Sequence, residues 1–231
     1  AYRLSRDLVS AGSRSEADAI MRAMVNRQPG DADRVYAYGL YLSGNNQDEM
    51  ALAQINALPR GQWTDNIREL EARLQSDNVL RQANQLRDSG QEARAIALIN
   101  QQPTSVRYAL TLADWAQQRG DSQTAIAEYQ RALGQQPDNG DARLGLAEVY
   151  LADGDKNAAR AQVAQLKGED IDSINMQRRI AQAQAGLGDR AQAQQTFARI
   201  VPQAKAQPPS MESALVLRDA ARFQAQNGEP Q

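Results

Sequence analysis

An alanine stands five residues after a turn signal six times along this chain, at Ala17, Ala51, Ala95, Ala125, Ala159 and Ala193. The turn markers before them are Gly12, Asn46, Gly90, Gly120, Gly154 and Gly188, with a seventh at Gly228, and successive markers are 34, 44, 30, 34, 34 and 40 residues apart. Self-similarity at such a period marks a repeat architecture, in which one supersecondary unit cannot bury its apolar face alone and must stack on its neighbours. No other feature of the chain restricts its fold so strongly.

The stretch "GDSQTAIAEYQRALGQQPD", residues 120 to 138, shows what each unit contains. Ala125, Tyr129 and Ala132 fall four and then three residues apart, which puts them in one stripe on a helix that starts after Gly120 and stops before Pro137. Nine residues after each marker comes a larger apolar residue, Met21, Ile55, Ile99, Tyr129, Val163 or Phe197, on the same face as the alanine. Seven residues before the markers the side chain is always small: Ser5, Gly39, Ala83, Ala113, Ala147, Ala181 and Ala221. Leu4, Tyr38, Leu112, Leu146 or Ile180 precedes it, with Gln82 and Ala220 as weaker members. Small residues facing each other across a short turn let two antiparallel helices approach closely, so each unit reads as a helical hairpin.

Composition agrees with this. Hydrophobic residues make up 42% of the 231, enough for a sizeable core, but aromatics are only 5%, and abundant Ala, Gln, Leu, Arg and Glu favour helix over strand. With 26 Lys and Arg against 28 Asp and Glu, the net charge of -2 and the lack of a basic run argue against nucleic acid. There is no cysteine, hence no disulfide, and no histidine, the commonest metal ligand and general base. No cofactor or metal is expected. No apolar run reaches the roughly 20 residues that span a bilayer.

A helix-turn-helix of this length with Gly-Asp at the turn, paired small residues, an aromatic on the second helix and a late proline resembles the tetratricopeptide repeat. "SVRYALTLADWAQQRGDSQTAIAEYQRALGQQPD" matches most fully, with Leu112, Ala113, Gly120, Ala125, Tyr129, Ala132 and Pro137 at the signature places and Ala109 where a Trp is usual. The resemblance implies an all-α, right-handed superhelical solenoid. Residues 1–63 are read as two repeats, the first truncated; 76–207 as four more; and 208–231 as the first helix of another, opened by Ser210 as a cap. The array reads as a piece of a longer one. The 44-residue step leaves "TDNIRELEARLQ", residues 64–75, as an extra helix without a partner, capped by Thr64 or Asp65 and striped by Ile67, Leu70 and Leu74. It runs on into the next helix through Ser76 and Asp77 or breaks there; the shift of apolar phase between Leu74 and Val79/Leu80 favours a bend and makes this stretch a candidate hinge.

By the geometry of the repeat family, first-helix side chains line an inner groove. Its candidates are Tyr36, Arg107, Asp114, Gln117, Glu148, Arg178, Gln182, Arg218 and Arg222, with Tyr2, Arg6 and Asn84 less prominent; the wall is polar and mixed in sign. Trp115 is expected to pack between repeats, and Trp63, after Pro59 and Gly61, to plug the gap before the extra helix. Catalysis is not expected: Glu148, Glu169 and Asp170 are not converged on a cleft by any pattern. A carboxylate-clamp peptide-binding adaptor or co-chaperone module is the alternative, but it needs Lys, Asn and Arg on successive inner faces, only Asn84 fits, and Lys is scarce. "LPRGQWTDNIRELEARLQSDNVL", "LTLADWAQQRGD" and the run from "INMQRRIAQAQAGLGD" to "AARFQAQNGEP" resemble the periplasmic repeat region of the outer-membrane component of bacterial cellulose synthases. That resemblance implies a periplasmic scaffold between the inner-membrane synthase and an outer-membrane pore, with the other components of the cellulose synthase complex as partners and weak contact with β-1,4-glucan through Arg178, Gln182 and Asp114. The fragment itself is expected not to span a membrane.

Overall fold

A computed structural model describes residues 12–166 and 173–226, with positions 3, 7, 9 and 10 before them. Leu4, Ser5, Tyr2, Arg6, Glu169, Asp170 and the turn at Gly228 lie outside the described residues. Within them the chain forms α-helices and one 3-10 turn, with no strand. It divides into two compact units, residues 1–102 and 103–231.

The first unit holds α1 (Arg14–Arg27), α2 (Ala32–Gly44), α3 (Asp48–Ala57), the 3-10 turn Arg60–Gln62, α4 (Asp65–Asp88) and α5 (Glu92–Asn100). The second holds α6 (Val106–Gln118), α7 (Ser122–Gln135), α8 (Gly140–Ala152), α9 (Lys156–Val163), α10 (Ile174–Leu187), α11 (Arg190–Ala206) and α12 (Met211–Gln226). Hairpins are formed by α2 with α3, α4 with α5, α6 with α7, α8 with α9 and α10 with α11.

The turns explain the recurring Gly-Asp. All six markers among the described residues have positive φ, from +59° at Asn46 to +88° at Gly188, the left-handed region that Gly enters without a Cβ penalty and Asn tolerates. The following N–H then reaches back to the carbonyl five residues earlier: Gln47 to Leu42, Gln91 to Leu86, Asp121 to Ala116, Asp155 to Tyr150 and Asp189 to Gln184, at 2.8 to 2.9 Å. This satisfies a carbonyl that the helix end would leave open. Asp121 and Asp155 also accept the N–H groups of Thr124 and Ala158 on their side chains, so one residue closes the first helix and caps the second. The bonds from Thr124 hold the Asp121 carboxyl below the usual carboxylate range. First helices open on Asp31, Thr64, Ser105, Asn139 and Ser173, each accepting the amide three residues on, and Ser210 caps α12 in the same way through Ser213.

All six column alanines are fully buried. Gly39, Ala83, Ala113, Ala147 and Ala181 are buried opposite them. Ala221 is exposed instead, and its neighbour Ala220 is buried, because α12 turns Val216, Ala220 and Phe223 toward α10 and α11 while no second helix among the described residues covers its other face. Trp63 plugs the gap as expected: its ring joins the first core, its Nε1 donates to the Leu58 carbonyl at 2.9 Å, and the Arg60 guanidinium lies 5.1 Å from the ring centre. Trp115 is buried.

The extra helix and the bend after it are not found as expected. α4 runs unbroken for 24 residues through Ser76 and Asp77. No Gly or Pro interrupts it, and an Arg73–Asp77 ion pair at 3.8 Å bridges the joint. The phase shift reflects two partners rather than a kink. Ile67, Leu70 and Leu74 are buried in one core with α2 and α3, whereas Ala83, further along, is the small residue facing α5. The Arg81 guanidinium reaches Asp48 of α3 at 3.0 Å. The first half of α4 therefore has a partner in α2 and α3.

Candidate functional site

The helices α6, α8, α10 and α12 present the polar residues of the second unit, and these gather into two networks. In the first, α6 brings Asp114 and Gln117 to α7, where the Tyr129 hydroxyl donates to Asp114 Oδ1 at 2.6 Å and lies 2.9 Å from Gln117 Oε1. The ring of Tyr129 fits only because Gly145 of α8 has no side chain; a Cβ there would lie 2.3 Å from Tyr129 Cζ. Burial pushes the Asp114 carboxyl up, against the lowering effect of the Tyr129 bond and of Arg179. Burial also pushes the Tyr129 hydroxyl up, with the bond to Asp114 adding to it.

Beside this pair, Arg179 of α10 makes a bidentate bridge to Glu148 of α8, Nε to Oε1 and Nη2 to Oε2, both at 2.8 Å, and its Nη1 reaches Asp141 at 3.3 Å. Burial opposes the charge on Arg179, but the bonds to Glu148 and Asp141 outweigh it and the guanidinium is held more firmly protonated. The geometry is the planar fork on a carboxylate that Arg, and not Lys, can make.

The second network centres on Asp219 of α12, whose side chain is 4% exposed. Its Oδ2 accepts Arg178 Nη1 at 2.7 Å and Gln182 Nε2 at 2.8 Å; its Oδ1 accepts Nε and Nη2 of Arg218 at 2.9 and 2.8 Å. Arg178 also donates to Asn175 and Gln182. Next to Asp219 a cavity of about 320 Å³ opens between α10, α11 and α12. Gln182, Asp219, Arg222 and Gln226 line it on the polar side, Phe197, Phe223, Ala185 and Gly186 on the other.

Of the residues expected in a groove, Asp114, Gln117 and Glu148 are brought around Tyr129 and Arg179, while Arg178, Gln182 and Arg218 surround Asp219 and Arg222 lines the cavity. Arg107 is exposed near the start of α6. Tyr36 sits in the other unit, half-buried against its core, and Asn84 is exposed on α4. Arg178, with a side chain only 12% exposed, pins Asp219 more than it projects outward. The residues that sequence reasoning missed are the network centres, Tyr129 as a hydrogen-bond donor, Arg179 and Asp219. Asp219 had a signal: it falls on the Val216, Ala220, Phe223 stripe, where an acid is out of place unless paired.

The tetratricopeptide repeat family matches residues 116–178, which run from the end of α6 into α10. Cellulose synthase operon protein C of Salmonella typhimurium is 61% identical over 230 residues, covering all of this chain and 20% of that protein. Along its whole length the chain is similar to one stretch of cellulose synthase operon protein C. The Escherichia coli K12 relative is 60% identical over 99% of this chain and 20% of its own length. The chain thus spans about one fifth of the curated relatives it matches. Among solved structures, a tetratricopeptide repeat protein of Parabacteroides merdae is 15% identical, covers 98% of this chain and 85% of its own, and has a TM-score of 0.52, a likeness of fold. No helix among the described residues is long and apolar enough to cross a membrane.

Proposed function

We propose that this repeat region is a non-catalytic scaffold in a cellulose synthesis and export complex, lying in the periplasm and linking the inner-membrane synthase to the outer-membrane pore. The observation that carries the reading is the 61% identity to cellulose synthase operon protein C along the whole chain, joined to a repeat fold used for protein contacts. The side-chain chemistry supports it. Asp114 and Glu148 are engaged by Tyr129 and Arg179, so neither carboxylate faces a substrate cleft as a general acid or base. Any contact with passing β-1,4-glucan is weak, because few aromatic faces are open and a polymer held tightly could not advance.

The test uses the full-length protein in cellulose-producing cells. Removing the repeats that contain residues 12–226 should abolish co-purification of the synthase while the protein still inserts in the outer membrane. Undiminished recovery of the synthase would remove the linking role. Calorimetric titration of this chain with cello-oligosaccharides addresses the glucan part; heat that saturates and strengthens with oligomer length supports contact, and no heat at millimolar sugar leaves a protein scaffold alone.

A further inference from the structure

The two networks occupy equivalent places in their repeats and are built differently. Counting from the turn glycine, Tyr129 and Phe197 both stand nine residues after it, Asp114 and Gln182 six before it, and Gln117 and Ala185 three before it. In the earlier repeat the Tyr129 hydroxyl, donating to Asp114, and the Gln117 side chain beside it fill the space. In the later one the hydroxyl is missing, Gln is replaced by Ala, and a cavity of about 320 Å³ remains, at the small end of the ligand-pocket range that starts near about 300 Å³.

The chemistry of the walls narrows what could enter. Asp219 is only 5% exposed, and its two oxygens already take four donors, the most a carboxylate accepts. It offers nothing to a ligand donor. Arg222 is the one arginine of the lining and has no ion pair or hydrogen bond among the described residues, whereas Arg178 and Arg218, outside the lining, are paired with Asp219 and neutralise it. Glu212, the other acid of α12, is turned to the backbone N–H of Asn175 at the start of α10. The apolar wall is the tilted pair Phe197 and Phe223, with ring centres 5.3 Å apart and exposures of 5% and 9%. So little open ring face cannot stack a sugar, but it suits a short aliphatic stem.

We propose that this cavity receives an acidic side chain from a partner protein, its carboxylate on Arg222 and its methylenes against Phe197 and Phe223. With Asp219 engaged by Arg178, Gln182 and Arg218, an acidic side chain supplies the acceptor oxygens and the counter-charge that Arg222 lacks, whereas a neutral glucan supplies no charge. The proposal rests on the scaffold reading for the occupant being a protein, and on the cavity alone for its chemistry.

The test is a nuclear magnetic resonance titration of the chain with N-acetyl-glutamate methylamide, the glutamine analogue, and cellotetraose. The expected result is saturable shifts at Ala185, Gly186 and Gln226 with the glutamate probe, binding at least about tenfold weaker with the glutamine probe, and loss of the shifts in Arg222→Gln. Arg222 supports no other described group, so that variant should keep the spectrum of the fold, and Arg94→Gln in the other unit should bind as the unchanged chain does. Equal shifts with the glutamine probe, shifts that survive in Arg222→Gln, response to cellotetraose alone, or no shift with any probe would each overturn the proposal. None of these outcomes touches the scaffold reading, which the co-purification experiment decides separately.

Discussion

Gly145 shows how much one missing side chain can decide. Alanine is ordinarily the better helix former by up to about 1 kcal/mol, so Gly145→Ala would stabilise an isolated α8. Here the added Cβ would lie 2.3 Å from Cζ and 2.7 Å from the hydroxyl oxygen of Tyr129, an overlap that must move a ring fixed between α6 and α8. Overpacking of this kind costs about 1–3 kcal/mol and exceeds the propensity gain. Gly145→Ala is therefore expected to lower the denaturation midpoint, read by chemical unfolding, and to break the Tyr129–Asp114 bond. Asp114 itself makes a pH prediction. Folding raises its pKa above the ordinary value of 3.8, so the folded chain binds that proton more tightly than the unfolded one. The resulting stability is complete below about pH 3.8 and is lost as pH rises through the folded pKa. Asp114→Asn cannot titrate, so the stability of the unchanged protein relative to this variant should decline as pH rises from about 3.8. Thermal melts of both across that range would check it; a constant difference would mean that burial does not tax the ionised carboxylate.

At the level of elements, α4 is where local reading and packing part company. Ser76 and Asp77 are middling helix formers, and a change of apolar phase around them looks like a break. A helix with one partner per half needs no break, because each half can turn a different face inward. With a rise of about 1.5 Å per residue, 24 residues also give α4 the reach to serve two hairpins. Ser76→Pro separates the possibilities. In a continuous helix it removes an internal hydrogen bond and clashes with the carbonyl of Ala72, costing at least about 3 kcal/mol. Cooperative unfolding at markedly lower denaturant is the expected outcome, whereas a flexible joint at this point would absorb the proline with little change.

For the molecule as a whole, the alanine columns are the economical part of the design. Each buries little apolar area by itself, but it lets helix backbones approach so that Met21, Ile55, Ile99, Tyr129 and Phe197 become nearly or fully inaccessible. Stability in such an array is a sum of hairpins and nearest-neighbour interfaces, and this chain groups them into two units with separate cores. Turns, caps, hairpins and column residues were legible from the sequence because they rest on contacts within one period: a positive φ at Gly120, an amide capped three residues on, a small residue facing another across a short turn. The groove residues were legible as a polar face but not as networks. Arg179 and Glu148, 31 residues apart, and Arg178 and Asp219, 41 apart, lie in different repeats, so no single repeat's pattern pairs them. By itself, then, the sequence determined that this protein is an array of tight helical hairpins, because backbone conformation and side-chain size act locally and recur. Only the tertiary structure decided that α4 is continuous, that Asp219 holds three partners and that a cavity stays open beside Phe197, because each of these depends on how closely neighbouring helices approach.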